Sequence, residues 1–450
     1  MNERTLSSNE DITEEENEIL DENGTIGQKE KLALYSRSIA ISVSQGLVGP
    51  FVSMIAIRNM NASGSDLGWL QSIANLLLTF LNPIFGRMSD ILRRRIPFIV
   101  ISTVSWGIPY IFLYWVKSPI SIIIIVALVN LFGSLGVSSW GALQNELFPP
   151  RVRAKLSSRV FWYNAFGNMI ATFFTGIVLT LVFGDLDYQK YILIPVVLGI
   201  VLSAIGVLPF IAIEEPLKKI KKEDQPVSRK LRESFSLSYK NKPFRNFVFF
   251  SMIYSFFWSF AWPLFPIKQV IILKASALEI AILNILFSVT TLLFINIGAK
   301  ISDNVGRTKM IFFSRIIMAT FPLLYIFASS VWQLYIIHFI VSSLVTLGMP
   351  SVQAYLLDIA PEREGGIYFG IYNMITGLFL FFGSLVSGYL VDYLKISYGI
   401  ELALTIGLGI SFLGRFISSF LFLFMKEQKA FPSSLGQILQ QLKLRRIRAP

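Results

Sequence analysis

Apolar residues run through this chain in stretches of about twenty, separated by short polar breaks, and twelve such stretches can be counted. They lie near 34–57, 67–89, 96–116, 120–144, 160–183, 191–213, 247–272, 277–299, 308–329, 331–355, 367–394 and 400–425. A helix needs about 20 mostly apolar residues to cross a bilayer, so each stretch predicts one spanning helix. Strands of a membrane barrel would alternate polar and apolar positions over about ten residues, and runs such as ISIIIIVALVNLF (120–132) do not alternate.

Composition agrees with a bilayer protein. Hydrophobic residues make up 54% of the 450, charged ones 15%, and the mean hydropathy is +0.61, outside the range of a soluble domain of this length. Lys and Arg are shared unevenly among the loops. One set carries Arg87, Arg93, Arg94 and Arg95, then Arg151, Arg153, Lys155 and Arg159, then a long basic segment from Lys218 to Arg232, then Lys300, Arg307 and Lys309. The opposite set offers Arg58, Lys117, Lys190, Lys268, Lys274 and Lys395. The richer set marks the cytoplasmic side and places both termini there, in a multi-pass protein of the plasma membrane. The net charge of +12 is then an orientation signal. Divided among loops between spans, it gives no reason to expect a nucleic-acid surface.

Residues 1–33 form an acidic, polar arm without the basic-then-apolar start of a signal peptide, and are expected to be disordered in the cytoplasm. The tail, 426–450, sets Leu435, Ile438, Leu439 and Leu442 at helical spacing beside Lys443, Arg445, Arg446 and Arg448. It fits either a short helix on an anionic leaflet or a solvated tail. Zero Cys excludes disulfides, thiolate metal sites and cysteine nucleophiles.

The densest charge cluster, NPIFGRMSDILRRRIPF (82–98), returns 213 residues later as AKISDNVGRTK (299–309). That offset carries Asp90 to Asp303, Arg94 to Arg307, Ser89 to Ser302 and Gly86 to Ala299, and upstream Pro50 to Pro263, Ser63 to Ser276 and Asp66 to Glu279. Downstream, Glu146 pairs with Asp358 and Pro149 with Pro361 at an offset of 212. The chain therefore reads as two repeats: an N-terminal bundle of six helices over 34–213, a polar linker over 214–245, and a C-terminal bundle of six over 246–425. Six is even, so both repeats enter and leave on the same side and are related by a pseudo-twofold axis normal to the membrane. The fold class is all-α integral membrane protein.

On these motifs the sequence resembles the major facilitator superfamily across essentially the whole membrane part. The signature loop of that family reads roughly Gly-x-Leu-x-Asp-Arg-x-Gly-Arg-Arg. Here Gly86, Met88, Asp90, Arg94 and Arg95 match it, while Ile91 stands where a basic residue is usual and Arg93 where Gly is usual. In the second copy Ile301, Asp303, Gly306, Arg307 and Lys309 fit and Ala299 replaces Gly. Arg93 is not expected to adopt positive φ as Gly can. A carboxylate at a helix C-terminus faces the negative end of the dipole and needs another partner. The resemblance implies that Asp90 meets Arg94 and the start of the eleventh helix near Gly366, that Asp303 meets the start of the fifth, and that small Gly86 and Ala299 allow close helix approach. The cluster would then be a cytoplasmic latch made in one transport state and broken in the other. Positive-inside topology alone would account for the Arg residues but not for an Asp held at one place in both repeats. Glu146 with Arg153, and Asp358 with Arg363, read as secondary gate contacts or as solvated loop charges.

The resemblance also implies a substrate site near the midplane, lined by the first, fourth, seventh and tenth helices. Polar candidates are few: Gln45, Asn130, Trp140, Asn164, Asn168, Tyr254, Trp258, Asn284, His338 and Asn373. Asn164 and Asn168 share a helix face, and Tyr254, Trp258 and Trp262 form an aromatic stripe. Each has a structural alternative: interhelical glue for the Asn residues, an interfacial belt for Trp262, a packed hydrogen-bonded role for His338. Arg415 is expected to snorkel or pair inside its own repeat, and Asp392, near the outer end of the eleventh helix, to be solvated.

No Asp or Glu lies mid-membrane in the first, fourth, seventh or tenth helix, so proton coupling has no obvious carrier. Without a central cation a strongly anionic substrate is not expected. The resemblance implies a secondary or facilitative transporter of a small organic solute, working by alternating access. The absences leave an Asn- and aromatic-lined cavity suited to a neutral or amphipathic solute, with efflux favoured slightly over uptake. A transport-inactive receptor or assembly factor on the same fold is the runner-up. A membrane-embedded enzyme would need an acid/base pair, a metal site or a nucleophile, and one His with no Cys supplies little. The expected partners are a small-molecule substrate and membrane lipid, with a coupling proton or ion as an option. No cofactor, no metal and no nucleic acid are expected, and the chain is expected to act as a monomer.

Overall fold

The computed structural model describes residues 27–148, 153–184, 188–213, 215, 238–361 and 365–427. The acidic arm up to 26, most of the linker and the basic tail beyond 427 lie outside the described residues. Among the described residues ten helices are long and apolar enough to cross a bilayer. One of these, Ile367–Phe424, is divided by the non-helical backbone of Gly399 (φ 75°, ψ 166°). Gly64–Leu92 adds a further span: Asp66, Gln71, Asn75 and Asn82 dilute its hydropathy, but its 29 residues suffice to cross.

Twelve helices result, one for each apolar stretch of the sequence. They are α1 Gln28–Met60, α2 Gly64–Leu92, α3 Ile96–Tyr114, α4 Pro119–Leu147, α5 Arg153–Ile177, α6 Gln189–Ala212, α7 Lys242–Ile272, α8 Ala277–Val305, α9 Arg307–Phe327, α10 Val331–Ile359, α11 365–398 and α12 400–419.

Local chemistry explains several of their ends. Ser276 and Glu279 form a capping box at the start of α8, and Ser63 with Asp66 makes the same reciprocal pair at the start of α2. These are the residues that the sequence offset aligns. Asn241 caps α7, its side chain accepting from the Phe244 amide at 3.2 Å, and Ser118 caps α4 ahead of Pro119. The aligned prolines both interrupt their helices: Pro50 sits in a 3₁₀ turn (Gly49–Phe51) within α1, and Pro263 follows an irregular turn within α7.

The described residues fall into two compact units, one of 27–55 with 80–215, the other of 56–79 with 238–427. In the first unit α1 packs on α5 and α6, and α3 packs on α4. Thr172 donates to the Gly46 carbonyl at 3.1 Å, and Ser36 donates to the Gly206 carbonyl at 2.9 Å, so small residues bring the backbones together. Its core gathers Leu34, Ile99, Leu143, Phe148 and Phe210. In the second unit α7 packs on α11 and α12, and α10 on α8 and α9. Its core is aromatic: Phe247 stacks flat on Tyr372 (5.3 Å) and meets Tyr355 edge-on (5.1 Å).

Each repeat makes the close approach expected near the charge cluster. A Cβ on Gly86 would lie 3.0 Å from Ser138 of α4. In the second repeat the tight position is Gly298, whose added Cβ would fall 2.6 Å from the Leu347 Cα of α10, one residue before the Ala299 that the alignment selects.

Candidate functional site

The charge cluster becomes an ionic knot at the turn from α2 to α3. The Arg95 guanidinium pairs with Asp90 at 2.5 Å, reaches Glu146 of α4 at 3.2 Å and donates to Ser89. Arg95 is buried, whereas the Asp90 side chain is 59% exposed. Burial pushes the Glu146 carboxyl above its ordinary value, and the adjacent Arg95 works against that rise. The expected partner of Asp90 was Arg94; the structure gives that role to Arg95. The reason is one extra residue in the first turn, which shifts the pairing by one position.

The same turn overturns the expectation for Arg93. It adopts φ 52°, and the bonds from the Arg94 amide to the Ser89 carbonyl and from the Arg93 amide to the Asp90 carbonyl, both 3.1 Å, complete a Schellman cap. A left-handed non-Gly residue costs roughly 1–2 kcal/mol, and these cap bonds offset that cost. In the second repeat Gly306, at φ 112°, ends α8 without such a Cβ penalty.

The second knot repeats the first. Arg307 pairs with Asp303 at 2.6 Å and with Asp358 of α10 at 3.3 Å, and donates to Ser302. Two carboxylates that the sequence reading missed complete the arrangement. Glu215 accepts from the Arg95 and Ile96 amides (2.7 and 3.1 Å) and so caps α3, and Glu427 accepts from the Thr308 amide (3.0 Å) and so caps α9. They stand 212 residues apart, the offset that pairs Glu146 with Asp358, and that coincidence was available in the sequence. The side chain of Arg153, and Arg363, lie outside the described residues.

At its opposite end α2 belongs with the second unit. The Asp392 carboxylate of α11 accepts from the Gly64 amide at 2.9 Å, the Ser65 amide at 2.7 Å and Lys395 at 2.7 Å. Asp392 is therefore a cap on the positive end of α2, which corrects the expectation of simple solvation. Below it the two helices run in close contact: Trp69 donates to the Tyr389 hydroxyl at 3.0 Å, Ser72 bonds Ser384 at 2.6 Å, and a Cβ on Gly64 would meet the Gly388 carbonyl at 2.8 Å.

The substrate-cavity candidates fall into different surroundings. Gln45, Asn284 and Asn373 are exposed, with Asn284 also donating to its own helix at Ile280 (2.9 Å). Asn130 is half-buried and turns its amide back to Val126. Asn164 joins helices, accepting from Ser42 of α1 at 2.6 Å, and Asn168 on the same face lies half-buried beside α1. Trp140 carries the Arg37 guanidinium 4.0 Å above its ring, and Arg37 also donates to Thr103.

Tyr254 is fully buried and donates to the Arg315 carbonyl at 3.0 Å, which puts it in the packed core; Trp258 beside it is half-buried. His338 bonds the Tyr325 hydroxyl at 2.6 Å, and that hydroxyl also accepts from Gln269, giving His338 a packed, hydrogen-bonded setting. Arg415, also fully buried, donates to the carbonyls of Phe257, Trp258 and Met318. The first two are left without helical donors where α7 breaks ahead of Pro263, so Arg415 satisfies a kink.

Spanning helices with ionic knots repeated at the same turn define an integral membrane protein built from two like repeats. The sequence profile of the Major Facilitator Superfamily matches residues 38–260 and again 247–449. The chain belongs to that superfamily, a fold of twelve helices in two bundles of six.

Among its relatives is the quinolone resistance protein NorA of Staphylococcus aureus, 23% identical over 388 residues, which covers 86% of this chain and 95% of that protein. Among solved structures, the nucleoside transporter NupG is similar with a TM-score of 0.69 at 16% identity, over 87% of this chain and 98% of that one. A bacterial homolog of the human lysosomal transporter Spinster, inward-facing and unoccupied, aligns with a TM-score of 0.62 at 13% identity, over 90% and 98%. NupG and the Spinster homolog are transporters by name, and with the superfamily match the protein is a multi-pass transmembrane transporter.

Proposed function

We propose that the protein exports a neutral or amphipathic small organic solute across the plasma membrane by alternating access, with both termini in the cytoplasm and as a monomer. The observation that carries the mechanism is the division of α2. One end is tied into the first unit by the Asp90–Arg95–Glu146 knot, the other into the second by Asp392, and the boundary falls between Thr79 and Phe80. Pro83 lies inside the helix and has no N–H for the Thr79 carbonyl four residues earlier, so the helix is weakest where the units divide.

In this reading α2 hinges there. The Asp392 clasp holds in the state closed toward the outside and is released when that side opens. Asp90 and Asp303 make their contacts with the starts of α11 and α5 in the alternate state. Gln45, Asn130, Asn164, Asn168, Trp258, Asn284 and Asn373 are the proposed solute-facing set. The likeness to a quinolone resistance protein over most of both chains supports efflux of amphipathic compounds. The likeness to a nucleoside transporter extends to fold alone at 16% identity.

The test is transport by purified protein in liposomes. Quinolones, lipophilic cationic dyes, nucleosides and sugars are offered with and without a pH gradient. Movement of amphipathic compounds supports the reading; movement of nucleosides or sugars alone overturns it. Movement that requires the gradient would identify a proton as the coupling ion.

A further inference from the structure

The exchange of partners at the first knot leaves Arg94 without the role the sequence gave it. Its amide closes the cap on α2, but among the described residues its guanidinium makes no hydrogen bond or ion pair, and the side chain is exposed. It stands at the edge of a cavity of about 530 Å³ formed by the end of α2, the first two turns of α3 and the face of α4. The other lining residues, Leu92, Pro97, Phe98, Ile101 and Leu135, are all apolar.

Leu92 and Ile101 are more than half exposed (58% and 54%), so the groove is open along the hydrocarbon-facing side rather than sealed in the bundle. Ile91, at 70% exposure, extends the apolar surface on the last turn of α2. A single cation at the level where helices end, heading an apolar groove that runs along spanning segments, has the polarity of an amphiphile binding site.

We infer that this groove binds one membrane phospholipid with a net anionic headgroup, its phosphate on Arg94 and an acyl chain along Leu92, Phe98, Ile101 and Leu135. A soluble anion would leave the apolar wall uncovered, and a neutral tail would leave the guanidinium unpaired. A zwitterionic lipid presents a phosphate together with its own ammonium, which competes with Arg94 for that phosphate. The bound lipid would bridge α2, α3 and α4 directly beside Asp90, Arg95 and Glu146, so its occupancy would stabilise the turn that carries the knot. The inference is independent of which solute is carried.

The full chain, purified in detergent and stripped of lipid, is titrated with phosphatidylglycerol, with phosphatidylcholine and with soluble glycerol phosphate, and thermal unfolding is followed. Phosphatidylglycerol should raise the midpoint by several degrees, and the other two should not. Arg94→Gln should weaken the apparent affinity about fivefold, the effect of one basic residue at a membrane surface. Ile101→Trp, which fills the groove without touching the charge, should weaken it as well. Arg87→Gln, which removes an exposed cation at the same helix end outside the groove, should retain it. Equal responses of wild type and Arg94→Gln, equal responses to the two lipids, or an unaltered response of Ile101→Trp would each overturn the site.

Discussion

The carboxylate of Asp392 on α11 rests on the first turn of α2, accepting from the Ser65 amide at 2.7 Å while its other oxygen takes the Gly64 amide and Lys395. Residues 327 positions apart in the chain thus share one helix cap.

Asp392→Asn keeps one acceptor oxygen and loses the charge. It should therefore forfeit a charge-assisted bond to the α2 dipole worth roughly 1.5–3 kcal/mol before solvent exposure reduces it. The expected result is about a tenfold shift toward the state in which α2 leaves α11. Because the chain has no Cys, spin labels on cysteines introduced at Asn61 and Ile396 report that separation cleanly. An unchanged distance distribution would show that the cap does not bias the equilibrium.

Arg95 and its neighbour should behave oppositely. Arg95→Gln leaves Glu146 in a largely buried site without its cation and should cost about 3 kcal/mol or more. Arg94→Gln, at an exposed position, should stay within about 0.5 kcal/mol in lipid-free detergent. Thermal unfolding of the purified variants side by side tests both. Comparable losses would return Asp90 to Arg94.

Arg415 holds three carbonyls with a planar fork that an ammonium cannot reproduce. Arg415→Lys should leave at least one buried carbonyl unpaired, costing about 1–3 kcal/mol, and lower both the unfolding midpoint and the yield of monodisperse protein. A midpoint equal to wild type would mean that the kink in α7 does not depend on this residue.

Gly306 ends α8 at φ 112°, so Gly306→Ala should destabilise by about 1–2 kcal/mol. Gly409, in α12, has open space around its missing Cβ and no positive φ, and Gly409→Ala should be neutral or stabilising by about 0.5–1 kcal/mol. Denaturation of the two variants in parallel separates backbone strain from mere added bulk.

Much of this architecture was legible without coordinates. Hydropathy marked the twelve spans because lipid leaves a crossing backbone little choice but the helix. The offset of 213 exposed the repeat because paired knots and capping boxes need the same residue types at the same places. The sequence therefore specified the spans, the repeat and the superfamily, and it singled out Asp90, Asp303, Glu146 and Asp358, which the structure places in ion pairs.

It did not specify who bonds whom. One extra residue in the first turn moved the partnership of Asp90 from Arg94 to Arg95, and a Schellman cap carried Arg93 into a conformation that its side chain disfavours. Asp392 looked like a solvated charge near a helix end because the amides it caps are nowhere near it in the chain. Tyr254 looked like a cavity residue because periodicity gives a face and does not say what covers it. Helix formation in a membrane follows from local composition. Which carboxylate meets which cation or helix end depends on distances set by packing between remote segments, and only the tertiary structure decided those.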